Sequence, residues 1–212
     1  MIPEKNIAVF ASGTGSNFIS IYNQINEGVI NGKIVLLISN NPDCKAVIFA
    51  KSNNIEVSII NQEIMSDCNK HEFFLYQVLK KEEIDLIVLA GYLKMIPVKI
   101  ISCYKNKILN IHPSLLPKFG GKGFYGMKVH KSVIDSNEKF TGATVHFVDE
   151  VYDNGPIILQ EKIEINKSDN AESISKKVLK IEHKLLPYVV GKFCLEKIVF
   201  KNQKPIIMME EE

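Results

Sequence analysis

Asn6-Ile7-Ala8-Val9-Phe10-Ala11-Ser12-Gly13-Thr14-Gly15-Ser16-Asn17 opens on an unbroken apolar run, passes through two glycines and enters a stretch, residues 16–27, with apolar positions at helical spacing. An apolar run without alternation is what a parallel strand covered on both faces requires, and the glycines allow a tight turn into a helix. This is one βα unit. Ser16 or Asn17 is placed to cap the helix and Gly28 to end it. The unit recurs, with strands expected at 33–39, 56–60, 86–89 and 107–111 and helices at 44–51, 69–81 and 94–104. Such alternation predicts an α/β fold, a Rossmann-like, mostly parallel twisted sheet with helices on both faces.

Beyond residue 111 the pattern stops. Pro113, Pro117 and Gly120-Gly121-Lys122-Gly123 interrupt any regular element, so a long loop is expected. Two β-rich runs follow at 141–148 and 156–165, joined by Asp149-Glu150-Val151-Tyr152-Asp153-Asn154-Gly155, then a helix at 170–193 and an acidic tail at 208–212. No repeat or linker divides the chain, so residues 1–212 read as a single domain with sequence halves at about 1–106 and 107–200.

A length of 212 residues with 46% hydrophobic and 24% charged residues excludes a disordered linker and suffices for a full core. Lys+Arg total 26, every one of them Lys, against 24 Asp+Glu. That near balance argues against nucleic acid or an anionic membrane as the main partner and leaves a small anionic ligand open. No apolar run approaches the roughly 20 residues of a membrane helix, and Met1-Ile2-Pro3-Glu4-Lys5-Asn6 lacks a signal-peptide pattern. Cys44, Cys68, Cys103 and Cys194 are scattered without a CxxC, so neither a metal site nor a disulfide framework is expected, and a reduced, cytoplasmic chain is the default reading.

Chemistry concentrates at strand ends. Ser12-Gly13-Thr14-Gly15-Ser16-Asn17 sits where backbone N–H groups meet the positive end of a helix dipole, which suits a phosphate; an ordinary βα turn fits equally well. A dinucleotide fingerprint would need glycine where Phe18 stands, and an acidic residue after the second strand where Ser39-Asn40-Asn41 stands. Asn110 and His112, two apart on a strand, project to one side at its carboxyl end. An amide that donates to an oxyanion beside an imidazole that shuttles a proton makes an acyl-transfer pair.

Four stretches carry a family resemblance: Ser12 to Asn17; Ala90-Gly91-Tyr92-Leu93-Lys94; Asn110-Ile111-His112-Pro113-Ser114-Leu115-Leu116-Pro117; and Gly142-Ala143-Thr144-Val145-His146-Phe147-Val148-Asp149 with Asp153-Asn154-Gly155-Pro156. In this order they resemble the phosphoribosylglycinamide formyltransferases of the folate-dependent formyltransferase family. The resemblance implies the formyltransferase fold and transfer of a formyl group from 10-formyltetrahydrofolate, the co-substrate, to the amine of glycinamide ribonucleotide in purine biosynthesis, without a metal. It makes the first half nucleotide-binding and the second catalytic and folate-binding. The family's catalytic trio maps onto Asn110, His112 and Asp153, its phosphate turn onto Gly15, Ser16 and Asn17, and its ribonucleotide-contacting glutamate onto Glu182. The folate side maps onto Leu93, Lys94, Met95 and Ile96 with Asn110, and where many members have an arginine for the folate this chain offers His71. The implied partners are those two small molecules, with no nucleic acid and no membrane, for a monomer or homodimer.

The residues themselves leave choices open. Asp153 is either the carboxylate beside His112, which would raise the histidine pKa, or a plain turn former. His146 either faces the site or is half-buried. His130 and His183 read as surface or interface residues, and Lys118, Lys122 and Lys128 as a solvated basic loop. A methionyl-tRNA formyltransferase would share Asn-x-His and Ser-Leu-Leu-Pro but needs a further basic module, whereas residues after 165 offer little more than one helix and the tail.

Overall fold

A computed structural model of the chain describes residues 2–208. The chain forms two compact units, Met1–Leu109 and Asn110–Glu212. The tail expected at 208–212 lies, past Met208, outside the described residues.

The first unit is built from β1 (Lys5–Phe10), α1 (Ser16–Asn26), β2 (Gly32–Ser39), α2 (Lys45–Ser52), β3 (Glu56–Ile59), α3 (Gln62–Ser66), α4 (Cys68–Lys81), β4 (Leu86–Leu89) and α5 (Val98–Cys103). Its strands run in the order β3-β2-β1-β4 and pair in parallel. β1 has a neighbour on each edge, and its Ile7, Ala8, Val9 and Phe10 are fully buried, as a strand covered on both faces requires. The order reverses between β1 and β4, and at such a switch point the loops leaving two carboxyl ends diverge and open a ligand crevice. Those two loops are tied together: the Ser12 N–H donates to the Gly91 carbonyl at 3.2 Å and the Leu93 N–H to Ser12 Oγ at 3.4 Å. The glycine turn and the loop that starts at Gly91 therefore lie side by side at the carboxyl end of this sheet.

β5 (Ile108–His112) leads into the second unit, which continues with α6 (Met127–Asp135), β6 (Phe140–Phe147), β7 (Ile157–Glu164), α7 (Ala171–Cys194), β8 (Ile198–Lys201) and β9 (Lys204–Ile207). The order here is β5-β6-β7, with β6 and β7 antiparallel. α7 starts at a reciprocal cap in which the Asn170 side chain accepts from the Ser173 N–H and Ser173 Oγ accepts from the Asn170 N–H. It packs on β6, β7 and α6. The mostly parallel α/β class expected from the alternation is the one observed.

Several local expectations are corrected. α1 is capped by Gly15 in the left-handed region, φ +73°, with no side-chain cap from Ser16 or Asn17. The helix expected from residue 94 begins only at Val98, because Pro97 fixes its own φ and drives the residue before it out of helical conformation. α3 and the β8–β9 hairpin have no counterpart in the sequence reading. The hairpin turns on Asn202 (φ +49°) and Gln203 (φ +63°), a two-residue loop with both residues left-handed. Its usual signature has glycine second; glutamine there hides it.

Candidate active site

β5 delivers Asn110 and His112 to the same carboxylate. Asn110 Nδ2 donates to Asp153 Oδ1 at 3.2 Å, and His112 Nδ1 lies 3.4 Å from Asp153 Oδ2. Asp153 holds this place at φ +53°, in a turn braced by Asp149, which accepts from the Val151 N–H at 2.9 Å and from Asn154 Nδ2 at 2.8 Å. The turn closes on Gly155, where a Cβ would stand 1.9 Å from the Phe147 carbonyl oxygen, so only glycine fits. The Gly121 N–H donates to Asp153 Oδ2 at 2.9 Å. His146, from β6, is buried in the same cluster, with Nε2 3.0 Å from Asn110 Nδ2 and 3.6 Å from Asp153 Oδ1. Of the two readings open for His146, the structure takes the one that faces the site.

Backbone carbonyls fix which ring nitrogen carries hydrogen. His112 Nε2 is 2.7 Å from the Phe119 carbonyl and His146 Nδ1 is 2.7 Å from the Phe147 carbonyl. A carbonyl only accepts, so those nitrogens are the N–H donors. The other nitrogen of a neutral imidazole presents a lone pair. On His146 it accepts from Asn110, whose opposite amide orientation would set an oxygen against the Asp153 carboxylate. On His112 it faces that carboxylate directly.

Burial sets the charge states. Only 4% of the His112 surface is exposed, and burial lowers its pKa; Asp153 and the Phe119 carbonyl oppose this without overcoming it, and His146 adds to the lowering. The raised pKa expected from the sequence is thereby corrected, since a neighbouring carboxylate does not outweigh the loss of water around the ring. For Asp153 burial is the largest single influence and pushes upward. His146, His112 and the Gly121 N–H together outweigh it, so its carboxyl lies below the usual range. The resting cluster is a carboxylate beside a neutral His112 imidazole. Its vacant proton position is His112 Nδ1.

Elsewhere in the second unit, Glu182 is buried on α7. His130, expected at the surface, is instead 3% exposed on α6, and burial together with the His112 charge lowers its pKa to about 4. His183 is half-buried, and burial lowers its pKa. Lys118 pairs with Glu138 at 2.8 Å, and Lys128 lies over the Tyr125 ring, 4.6 Å from its centroid, so two of the three loop lysines are tethered.

In the first unit, the turn through Gly15 starts α1 with a backbone cap alone, which suits an anion at that end. Leu93, Lys94 and Met95 are exposed and Ile96 is buried. His71 is buried on α4 with its pKa lowered by burial, so it presents a neutral ring rather than a replacement for a guanidinium. Among the described residues no group of three or more His, Cys, Asp or Glu is placed to hold a metal ion, and no helix is long and apolar enough to cross a membrane. The Phe119 carbonyl and the Gly121 N–H are functional groups that side-chain reading misses, because neither depends on the side chain its residue carries.

His130 has a measurable consequence. A buried base with a depressed pKa leaves the unfolded chain to bind its proton first, so stability falls as pH drops from 6.5 toward about 4. At about 1.4 kcal/mol per pKa unit the loss is about 3 kcal/mol by the end of that window. His130→Leu is expected to flatten this part of the acid slope, read from urea midpoints across the window. His112, His71 and His183 act in the same direction and leave a residual slope.

Comparison with known proteins adds a second line. A family model described as formyl transferase matches residues 5–190. The chloroplastic phosphoribosylglycinamide formyltransferase of Arabidopsis thaliana is 44% identical over 201 residues, 93% of this chain and 68% of that protein. The Bacillus subtilis phosphoribosylglycinamide formyltransferase is 38% identical over 186 residues, 88% of this chain and 93% of that protein. The phosphoribosylglycinamide formyltransferase structure from Bacillus halodurans superposes with a TM-score of 0.83 at 36% identity, over 89% of this chain and 95% of that one. Glycinamide ribonucleotide transformylase 1 from Symbiobacterium toebii gives 0.89 at 29% identity, over 97% and 95%.

Proposed function

The chain belongs to the formyl transferase family, and on that premise we propose that its Asn110, His112 and Asp153 carry out the reaction of a phosphoribosylglycinamide formyltransferase. The reaction is transfer of the formyl group of 10-formyltetrahydrofolate to the amine of glycinamide ribonucleotide, a step of purine biosynthesis. The observation that carries the residue assignment is the convergence of an amide, an imidazole and a carboxylate, with Asp153 shared between Asn110 and His112.

The amine nitrogen attacks the formyl carbon, the new C–N bond forms, and the carbonyl pair moves onto oxygen. Asn110 donates to that oxyanion, exchanging one of the hydrogen bonds it now gives to His146 and Asp153. The former amine nitrogen now carries a surplus proton. His112 Nδ1, proton-free and facing Asp153, accepts it, and the carboxylate stabilises the imidazolium so formed. The same proton passes to the departing folate nitrogen as its bond to the formyl carbon breaks and the carbonyl re-forms.

Binding roles complete the reading. The turn at Gly15, Ser16 and Asn17 takes the ribonucleotide phosphate, Glu182 the ribonucleotide, and Leu93, Lys94, Met95 and Ile96 the folate. His71 enters as a neutral ring lacking the arginine's charge. The partners are the two small molecules, and the cytoplasm is the proposed location.

Mixing the protein with both substrates and following the folate absorbance tests the activity. Loss of signal change when glycinamide ribonucleotide is omitted is expected; turnover independent of it would contradict the proposal. A valine at Gly15 would meet the Ala46 Cβ at 2.8 Å and must adopt φ +73°. Gly15→Val is therefore expected to raise the KM for the ribonucleotide about 10-fold or more while folate affinity is kept, an effect on the scale of one lost charge-assisted contact. Equal losses for both ligands would instead indicate damage to the fold.

A further inference from the structure

Thr144 on β6 and Gln160 on β7 are direct cross-strand partners. Thr144 is fully buried and Gln160 exposed, yet the Thr144 hydroxyl and both amide hydrogens of Gln160 are engaged. Gln160 Nε2 donates one hydrogen to Thr144 Oγ1 at 2.8 Å and the other to the Leu116 carbonyl at 3.0 Å. Thr144 Oγ1 also accepts from the Leu116 N–H at 3.1 Å and donates to the Ser114 carbonyl at 2.6 Å. The two side chains thus clamp both peptide groups of Leu116 and the carbonyl of Ser114. Ser114 Oγ in turn donates to the Lys118 carbonyl at 2.7 Å, fixing the peptide before Phe119. The next carbonyl, that of Phe119, receives the His112 Nε2 hydrogen.

We propose that Gln160 is a positioning residue for formyl transfer: through Thr144 and the Ser114–Phe119 loop it holds the carbonyl that keeps the hydrogen of His112 on Nε2 and leaves Nδ1 proton-free toward Asp153. The proposal rests on the assignment of His112 as the proton carrier. A glutamine at an exposed position of a strand that is not needed for packing is ordinarily replaceable with little effect on stability. Here, among the described residues, its two amide hydrogens are the side-chain donors that reach the buried hydroxyl and the loop carbonyl together. Removing them frees the loop to shift, and the tautomer of His112 is no longer set by a fixed acceptor.

Gln160→Leu keeps the size and removes both donors. It is expected to lower kcat by on the order of 10-fold, below the ~10² that a full ångström of misplacement can cost, with both KM values within about 2-fold. NMR of the His112 ring is expected to show hydrogen appearing on Nδ1. Gln160→Glu, unable to donate when ionised, should behave in the same way at neutral pH, whereas Thr144→Ser, which keeps the hydroxyl, should retain wild-type turnover and ring state. Unchanged kcat in Gln160→Leu overturns the proposal, as does a fall in kcat with the ring unaltered. Measuring His112→Ala alongside separates the two levels. If that variant turns over normally, the assignment of His112 fails. If it is inactive while Gln160→Leu is not impaired, only the role of Gln160 fails.

Discussion

His112→Ala is expected to lower kcat by roughly 10²–10⁴, the range in which a positioned acid–base group contributes, with substrate affinities nearly unchanged. The reason lies in the resting charge state. A neutral ring whose Nδ1 faces a carboxylate at 3.4 Å gains most when it becomes charged, and that happens only after the amine has attacked. Its interactions therefore belong to the transition state, and their loss appears in kcat rather than KM. The truncation also strips Asp153 of one partner, but Asn110 and the Gly121 N–H still satisfy both carboxylate oxygens. Steady-state kinetics with each substrate varied in turn checks the split; a raised KM with intact kcat would assign the ring to binding.

Asp153→Asn is expected to cost roughly 10²–10³ in kcat and to move the histidine titration downward. Asparagine tolerates the left-handed backbone at φ +53° and keeps an acceptor for Gly121, so the turn survives. What disappears is the charge that now opposes the burial effect on His112. The pKa, already lowered, should fall further, because burial is then opposed only by the Phe119 carbonyl. The sign is fixed by the order of causes: removing an influence that raises a pKa lowers it. NMR titration of the ring and the acid limb of the pH–rate profile should both shift to lower pH while the plateau drops. A titration that stays in place, with normal turnover, would return Asp153 to the status of a turn residue.

The contrast between what the sequence disclosed and what required coordinates is physical. β1, the glycine turn and α1 were legible because burial on both faces writes an unbroken apolar run and a helix writes its own period. Asn110 and His112 were legible as a pair because residues two apart on a strand share a side. Asp153 was visible only as a turn residue or through family resemblance, since contact across 43 residues of chain leaves no local pattern. The sign of the His112 shift is not legible in the sequence because it depends on how much water the fold removes, a tertiary quantity. The burial of His130 is hidden for the same reason. The Phe119 carbonyl and Gly121 N–H are unwritten in any sequence, as every residue but proline has both groups. Gln160 gave no signal at all, standing among exposed polar positions of β7.

In this mechanism the formyl carbon moves to an amine through a proton-carrying His112. Its most direct test follows an isotopically labelled formyl carbon from 10-formyltetrahydrofolate by NMR, in the presence of glycinamide ribonucleotide, with the wild-type chain and with His112→Ala. The label is expected on the ribonucleotide amine with the wild type and to remain on the folate with the variant, both ligands still bound. Release of the label as formate by the wild type, or its arrival on the amine at an undiminished rate with His112→Ala, would contradict the account.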